Sequence, residues 1–363
     1  MPREPMLMRR LGIEHPIIQA PMAGGATTVD LVVAVCEAGA LGSLGCAYSS
    51  PDVIRETARA IRVRTERPFA LNLFAPQPAL RAPAEPGRMI RVLEDAHAAL
   101  GIEPPTVPAA GGIDFAAQFE AVLDADAPVF SFTFGLLPSG AIEALHARGA
   151  FVMGTATTVD EAVALEAAGV DAIVAQGSEA GAHRGTFGSS FETAMVGTMA
   201  LVPQIVDAVG VPVVASGGIM DGRGVAASLA LGAQAAQLGT AFLTSDEAGI
   251  PPAYKQAILD AREDQTRITR AFSGRPARGI VNRLMADIDR EPDAILPFPL
   301  QNALTRPARN AAADQDRAEF LSLWAGQGVR LARRQPAGQL VERIADELAR
   351  AIERTSASGG GTA

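Results

Sequence analysis

Eight short apolar runs recur along the chain, each bounded by Gly, Pro or polar residues. They begin near Pro16, Leu41, Phe69, Val129, Phe151, Asp171, Val211 and Ala235. Several runs are almost continuously apolar rather than alternating, which is typical of strands buried on both faces of a parallel sheet. The pattern therefore predicts a sheet of buried parallel strands in the first two thirds of the chain.

Helical patterns rich in Ala, Leu, Val and Glu separate these runs. They span 28–38, 51–63, 139–147, 159–168, 199–208 and 222–231. Asp221 precedes the last of them as an N-cap, and Thr158 with Glu161 has the spacing of a capping box. Gly169 ends that same helix as a C′ glycine would. Eight alternations of strand and helix predict either a (β/α)8 TIM barrel or a doubly wound sheet.

The spacing of the runs favours the TIM barrel. Most intervals fit one strand–helix unit, and two long intervals indicate insertions at 75–112, which is Pro-rich, and 178–198, which is Gly-rich. We predict a barrel over 1–250, a smaller additional α/β or irregular domain over 251–312 on the substrate side, C-terminal helices over 313–354 that return to the barrel, and a disordered tail over 355–363. Segments 251–264 and 320–334 look helical.

The charge balance narrows the classes of function. The chain has 31 Lys and Arg against 40 Asp and Glu, for a net charge of −9, which argues against nucleic acid and anionic membrane as partners. No stretch approaches the roughly 18 apolar residues of a membrane span, and the first residues lack the apolar region of a secretion signal. We therefore expect a cytoplasmic protein.

The cysteine and lysine content constrains the chemistry further. Cys36 and Cys46 form no cluster with histidine, so no metal site is expected. Lys255 is the only lysine. An anion would therefore be bound by arginine or by backbone N–H groups.

Two glycine-rich turns follow the seventh and eighth runs. Gly217-Gly218 and Gly239-Thr240 come where a TIM barrel places a phosphate site, with a helix after each. Such glycines can simply make tight turns. Two glycine-containing turns at equivalent positions after successive strands, however, favour a phosphate-bearing ligand held by backbone N–H groups.

Two amides and a histidine stand at other strand ends. Asn72 and Gln176 could satisfy loop backbone groups or bond the polar edge of a flat heterocycle. His183 lies in the Gly-flanked insertion after the sixth run, where it could reach over the barrel mouth and transfer a proton. No partner at triad spacing is evident for it, so hydrolysis by a Ser/His/Asp triad is not supported.

The motifs resemble those of nitronate monooxygenases, formerly called 2-nitropropane dioxygenases, of the class I bacterial type. The resemblance is carried by PIIQAPMAGGATT at 16–28, FALNLF at 69–74, SFTFG at 131–135, AQGSEAGAHRG at 175–185, VVASGGI at 213–219 and QLGTAFL at 237–243. It continues in PFPLQNALTRP at 297–307 and FLSLWAGQGVRLARR at 320–334, so it covers nearly the whole chain. The segments at 175–185 and 16–25 are the specific ones, because VVASGGI and LGT recur in many phosphate-binding barrels.

The resemblance implies an FMN-dependent enzyme that oxidises alkyl nitronates of the propionate 3-nitronate type with O₂ to a carbonyl compound and nitrite, by one-electron transfer to the flavin. His183 would act as the base when a neutral nitroalkane is offered. The residues that would hold the flavin are Ala20, Pro21, Met22, Asn72, Gln176, Gly181, Gly217, Gly218, Gln237, Leu238, Gly239 and Thr240.

This sequence departs from the family pattern at two positions. Ala182 stands where relatives carry the second glycine of Gly-Gly-His, which is tolerable unless φ is positive there. Thr133 stands where many relatives carry a second active-site histidine. Arg306 is a candidate for binding the carboxylate of an anionic substrate.

Two other functions remain open at this point. The FMN-type enoyl-acyl-carrier-protein reductase, which uses NAD(P)H, has a similar barrel and a similar motif around the histidine. A flavin- or phosphate-binding protein without turnover would keep the glycine pairs but would not need His183. The oligomeric state is also open, with a homodimer as one alternative.

Overall fold

The computed structural model describes residues 6–76, 86–107 and 114–359. Its strands are β1 (Ile17–Gln19), β2 (Gly42–Gly45), β3 (Phe69–Phe74), β4 (Val129–Thr133), β5 (Phe151–Ala156), β6 (Ala172–Gln176), β7 (Ala182–His183), β8 (Val213–Ser216), β9 (Ala235–Leu238), β10 (Thr266–Thr269) and β11 (Ala277–Ile280). Its α-helices are α1 (Met6–Leu11), α2 (Val29–Glu37), α3 (Pro51–Arg64), α4 (Gly87–Leu100), α5 (Phe115–Ala125), α6 (Ala141–His146), α7 (Val159–Ala167), α8 (Thr198–Ala208), α9 (Gly222–Ala230), α10 (Thr240–Leu243), α11 (Pro252–Asp260), α12 (Arg283–Asp289), α13 (Leu300–Asp314) and α14 (Ala337–Gly359).

Eight of these strands form one parallel sheet in the order β1-β9-β8-β6-β5-β4-β3-β2. A parallel bridge between Ile18 and Leu41 joins the two edge strands, so the sheet closes on itself. The (β/α)8 TIM barrel predicted from the eight apolar runs is therefore confirmed. Closure leaves no exposed sheet edge and brings the carboxyl ends of all eight strands to one mouth.

Helix α1 covers the opposite end of the barrel. Leu7 and Leu11 are buried and belong to one apolar cluster with Ile18, Met153 and Val174, which come from three barrel strands. Side chains thus fill the barrel interior at this end, as expected for a barrel of eight strands. The open mouth at the other end is left for a ligand.

The outer ring of helices is completed from the far end of the chain. Only the short α10 follows β9 directly, and α14 packs between α9 and α2. A Cβ atom at Gly222 would lie 2.2 Å from the backbone nitrogen of Leu348, so only glycine allows α9 and α14 to approach this closely. The last helix therefore closes the ring of the barrel.

A second apolar core lies beside the barrel. It combines α4 from the first insertion with α11, α12, α13 and the antiparallel sheet β10-β11-β7, and it buries Phe272, Phe320 and Met285. Strand β7 belongs to the second insertion, at 178–198, which therefore pairs with the segment after the barrel. Residues 77–85 and 108–113, which include parts of the first insertion at 75–112, lie outside the described residues.

Some local predictions differ from the structure. The helix predicted over 320–334 is wrong: the chain there contains the 3-10 turns Ala318–Phe320 and Val329–Leu331, and Trp324 between them bridges to Gly279. Tertiary pairing overrides helix propensity there. Helix α14 continues to Gly359, inside the predicted tail over 355–363, of which 360–363 lie outside the described residues.

The N-cap predictions hold, with one change. Thr158 caps α7 and Asp221 caps α9 through their side-chain oxygens. Glu161, however, does not accept a hydrogen bond from the Thr158 N–H, as it would in a capping box. Its carboxylate accepts from the N–H groups of Thr157, Phe187 and Gly188. It therefore joins the turn before α7 to the second insertion.

Candidate active site

A cavity of about 480 Å³ opens at the carboxyl ends of the barrel strands, where α13 and Trp324 also form part of its wall. Of the residues predicted to form the site, those that line it are Ala20, Pro21, Met22, Asn72, Gln176, Gly181, His183, Gly217, Gly218, Gln237, Gly239 and Thr240. Leu238 does not line it, because its side chain is fully buried in the layer between barrel and helices. One cavity thus unites residues from six separate strand ends.

The two glycine turns present backbone to this cavity. A Cβ atom at Gly217 would lie 2.8 Å from Thr198 Oγ1, and one at Gly218 would lie 3.0 Å from Glu179 Cβ, so neither turn has room for a side chain. Both residues also have positive φ, at 121° and 70°. Among the described residues, the N–H groups of Gly218, Gly239 and Thr240 have no protein acceptor. These donors fit a phosphate group.

One part of the phosphate prediction needs correction. The expected helix N-terminus after Gly218 is not open, because the Asp221 carboxylate accepts hydrogen bonds from the N–H groups of Arg223 and Gly224 at 3.0 and 3.3 Å. An anion at these turns would therefore be held by the loop N–H groups and not by the dipole of α9.

The two amides have different surroundings. Asn72 donates through Nδ2 to Ser131 Oγ at 2.9 Å, while its Oδ1 has no partner among the described residues. Gln176 uses both ends of its amide on the second insertion: Nε2 donates to the His183 carbonyl and Oε1 accepts from Gly185 N–H at 2.8 Å. Gln176 thus positions the histidine segment, and Asn72 keeps an acceptor for a ligand.

The segment that carries His183 is held against the second core. Gly181 lies so close to Gly326 that a Cβ atom would sit 2.6 Å from its backbone nitrogen. Ala182 has φ 58°, so the family's glycine position does require the left-handed region, and this chain places a methyl group there. His183 then pairs with Ala277 of β11.

The His183 imidazole is surrounded by aromatic rings and one hydroxyl. Ring centres of Phe134, Phe298 and Trp324 lie 5.8, 6.0 and 5.7 Å from that of the imidazole. Nε2 lies 2.8 Å from Ser273 Oγ, and that hydroxyl donates to the Arg275 carbonyl at 3.1 Å. Because the hydroxyl has a single proton, Nε2–H is the donor to Ser273 and Nδ1 carries the lone pair.

This environment keeps the imidazole neutral. Burial lowers the pKa of His183 to about 3, and the charges of Arg275 and Arg309 act in the same direction. At neutral pH, therefore, His183 can accept a proton or a hydrogen bond at Nδ1 but carries no positive charge.

The wall also contains residues to which the sequence assigned no role. They are Tyr48, Phe74, Ser131, Thr155, Tyr254, Asn302, Arg309, Asn310, Ser322 and Trp324. Phe74 and Ser131 lie within the FALNLF and SFTFG motifs, and Asn302, Ser322 and Trp324 lie within the C-terminal segments of the resemblance. Arg306, the candidate from the sequence, also lines the cavity, and Thr133 lies 3.2 Å from Thr155 between hydroxyl oxygens. The helical spacing of Asn302, Arg306 and Asn310 on one face of α13 is the signal that could have found part of this set.

The described residues contain no group of three or more His, Cys, Asp or Glu that could hold a metal ion. None of the described helices is long and apolar enough to cross a membrane.

Comparison with known proteins identifies the family. The family model described as nitronate monooxygenase matches residues 4–347. A probable nitronate monooxygenase of Staphylococcus saprophyticus is 43% identical over 92% of this chain and 94% of its own length. The nitroalkane oxidase of Streptomyces ansochromogenes superimposes with a TM-score of 0.88 at 44% identity, covering 94% of this chain and 98% of that one. FabK from Thermotoga maritima matches with a TM-score of 0.77 at 29% identity over 98% and 99% of the two chains. The chain therefore belongs to the nitronate monooxygenase family of enzymes.

Proposed function

We propose that this protein is an FMN-dependent nitronate monooxygenase that oxidises alkyl nitronates with O₂ to a carbonyl compound and nitrite. The observation that carries the proposal is the convergence, in one cavity, of free backbone N–H groups at Gly218, Gly239 and Thr240 with a neutral histidine in an aromatic enclosure. The family match supports it.

The wall of the cavity fits the flavin. The glycine turns would hold its phosphate, and Asn72 Oδ1 would accept a hydrogen bond from the polar edge of its ring. When bound, FMN supplies the electron acceptor for the nitronate, with O₂ as the final oxidant.

His183 would contribute differently for two kinds of substrate. A nitronate already carries its negative charge, so no proton has to be removed from it. A neutral nitroalkane must lose its α-proton, which Nδ1 of His183 would accept. With the pKa of His183 at about 3, the imidazolium product is unfavourable beside Arg275 and Arg309. We therefore infer that nitronates are preferred over nitroalkanes.

Nitrite release in air from propionate 3-nitronate, by protein that binds FMN, is the test. His183→Asn should abolish turnover of a neutral nitroalkane and spare its nitronate. Equal loss on both substrates would refute the assignment of His183 as the base. Protein that cannot be loaded with FMN would contradict the proposal itself.

The likeness to FabK supports a second candidate, an FMN-dependent enoyl-acyl-carrier-protein reductase using NAD(P)H. Mixing the flavin-loaded protein with NADH without oxygen separates the two. Rapid bleaching of the flavin absorbance would favour the reductase, and an unchanged spectrum would favour the monooxygenase.

A further inference from the structure

A short segment of the chain, 324–328, lies against several parts of the candidate site. This bridging segment begins where Trp324 pairs with Gly279 of β11. From there its backbone runs between the glycine turns and the insertion that carries His183. The bridging segment therefore touches both the part of the cavity that would hold a phosphate and the part that holds the imidazole.

The bridging segment contacts both glycine turns through its backbone. Gly326 N–H donates to Thr240 Oγ1 at 2.9 Å, in a buried hydrogen bond. Gly328 packs against the other turn, where a Cβ atom on Gly328 would lie 2.8 Å from the carbonyl oxygen of Gly218. Because these are close-packed backbone contacts, a displacement of either turn has to displace the bridging segment as well.

The same segment contacts the residues that lead to His183. Gln327 N–H donates to the carbonyl of Glu179 at 2.9 Å, and a Cβ atom on Gly326 would lie 2.8 Å from that carbonyl oxygen. The ring centre of Trp324 lies 5.7 Å from that of the imidazole. The bridging segment therefore helps to set the surroundings of His183.

The hydroxyl of Thr240 stands between the glycine turn and the bridging segment. Its oxygen accepts from Gly326 N–H, and among the described residues its own proton has no acceptor. Thr240 is 8% exposed and lines the cavity beside Gly239. A phosphate oxygen at these turns can accept that proton, and a hydroxyl that donates to an anion becomes a stronger acceptor itself. A bound phosphate would therefore strengthen the hydrogen bond that holds the bridging segment.

We propose that Thr240 is a positioning residue for His183: through the bridging segment, occupation of the glycine turns by a phosphate fixes Trp324 against the imidazole. The inference rests on the proposed binding of the FMN phosphate and adds a link between that site and the base. The flavin ring does not take part in this link, so phosphate alone should act on Trp324.

Trp324 is the only tryptophan of the chain, so tryptophan fluorescence reports on the surroundings of His183. The test titrates the flavin-free full chain with inorganic phosphate, which does not absorb at these wavelengths, and calorimetry measures the binding in parallel. In the wild type, the emission should change and saturate with the Kd that calorimetry gives. Unchanged emission at saturating phosphate would overturn the proposal, and so would the absence of phosphate binding.

Thr240→Val removes the hydroxyl and keeps the backbone N–H and the shape of the side chain. Phosphate binding should weaken about 10- to 100-fold, as expected for one hydrogen bond to a charged group, and the change in emission at saturation should disappear. Thr240→Ser keeps the hydroxyl and should restore both. Thr244→Val is the matched control, because the buried hydroxyl of Thr244, at the end of the same helix, donates to the Arg333 carbonyl at 2.7 Å. It should leave both unchanged.

A full change in emission in Thr240→Val, or an equal loss in Thr244→Val, would overturn the proposal. A second measurement uses the FMN-loaded enzyme. At saturating FMN, Thr240→Val should lower kcat on a neutral nitroalkane about 3- to 10-fold more than on its nitronate, because only the nitroalkane needs proton transfer to His183. Equal losses on the two substrates would overturn the link to His183. If the wild type oxidises neither substrate, the proposed function fails, and the phosphate titration still decides whether Thr240 acts on Trp324.

Discussion

The buried carboxylate of Glu161 accepts four hydrogen bonds near the site, and replacing it tests how the second insertion is anchored. Glu161 is 1% exposed. Its Oε2 accepts from Thr157 N–H and Oγ1, both at 2.7 Å, and its Oε1 accepts from Phe187 and Gly188 N–H at 2.6 and 2.7 Å. Thr157 lies in the turn before α7, and Phe187 and Gly188 follow His183 in the second insertion.

Glu161→Gln keeps the shape but replaces one acceptor oxygen by a donor. The amide nitrogen can face Thr157, whose hydroxyl can turn to accept from it, but the Thr157 N–H then remains buried and unpaired, at a cost of about 1–3 kcal/mol. The two bonds to Phe187 and Gly188 lose their charge assistance, about 0.5–1 kcal/mol each. We expect a loss of about 3 kcal/mol, which lowers Tm by about 4 °C for a chain of this length.

Glu166→Gln on the same helix is the matched control. Both hydrogen bonds of Glu166, from Gly210 and Val211 N–H at 2.7 and 3.1 Å, are made by Oε1 alone, so a glutamine can keep them. We expect a loss below about 1 kcal/mol. Scanning calorimetry measures both variants, and hydrogen exchange should show faster exchange around Phe187 in Glu161→Gln only. Equal Tm losses in the two variants would refute the reasoning from the four bonds.

Three further predictions concern single positions. Ala182→Gly should raise the free energy of unfolding by about 0.5–1 kcal/mol. Glycine removes the steric strain of a Cβ atom at positive φ, and this gain exceeds the backbone entropy that glycine loses on folding. A lower Tm in calorimetry would contradict this. Ser273→Ala removes the acceptor for His183 Nε2–H and should lower kcat on a neutral nitroalkane more than on a nitronate. Recovery of kcat in Ser273→Thr, which keeps a hydroxyl, would support a positioning role for Ser273. Equal losses of kcat on the two substrates would contradict that role. Burial raises the pKa of Asp171, but hydrogen bonds from Val152 N–H, His146 and Arg10 outweigh it and leave the pKa below its usual range. Its stabilisation is therefore present above about pH 4 and is lost as the pH falls through the lowered pKa. The free energy of unfolding of Asp171→Asn should accordingly depend less on pH below about pH 4 than that of the wild type.

The barrel could be read from the sequence because its determinants are local and repeated. Apolar runs such as 69–74 and 129–133 are long enough to mark strands without knowledge of their partners, and caps such as Asp221 fix helix starts within a few residues. The glycine pairs after the last two barrel strands could be placed at the mouth for the same reason, since parallel strands end at one face.

The sequence by itself thus determined the barrel, the backbone-lined turns at its mouth and the position of His183 on the insertion. Only the tertiary structure decided what surrounds that histidine. Ser273, Trp324 and Arg309 are separated from it by long stretches of chain, and their meeting depends on the pairing of β7 with β11 and on the packing of α13. Propensity and periodicity act over a few residues, whereas these contacts are chosen by long-range packing of the second core, so no local pattern could specify them.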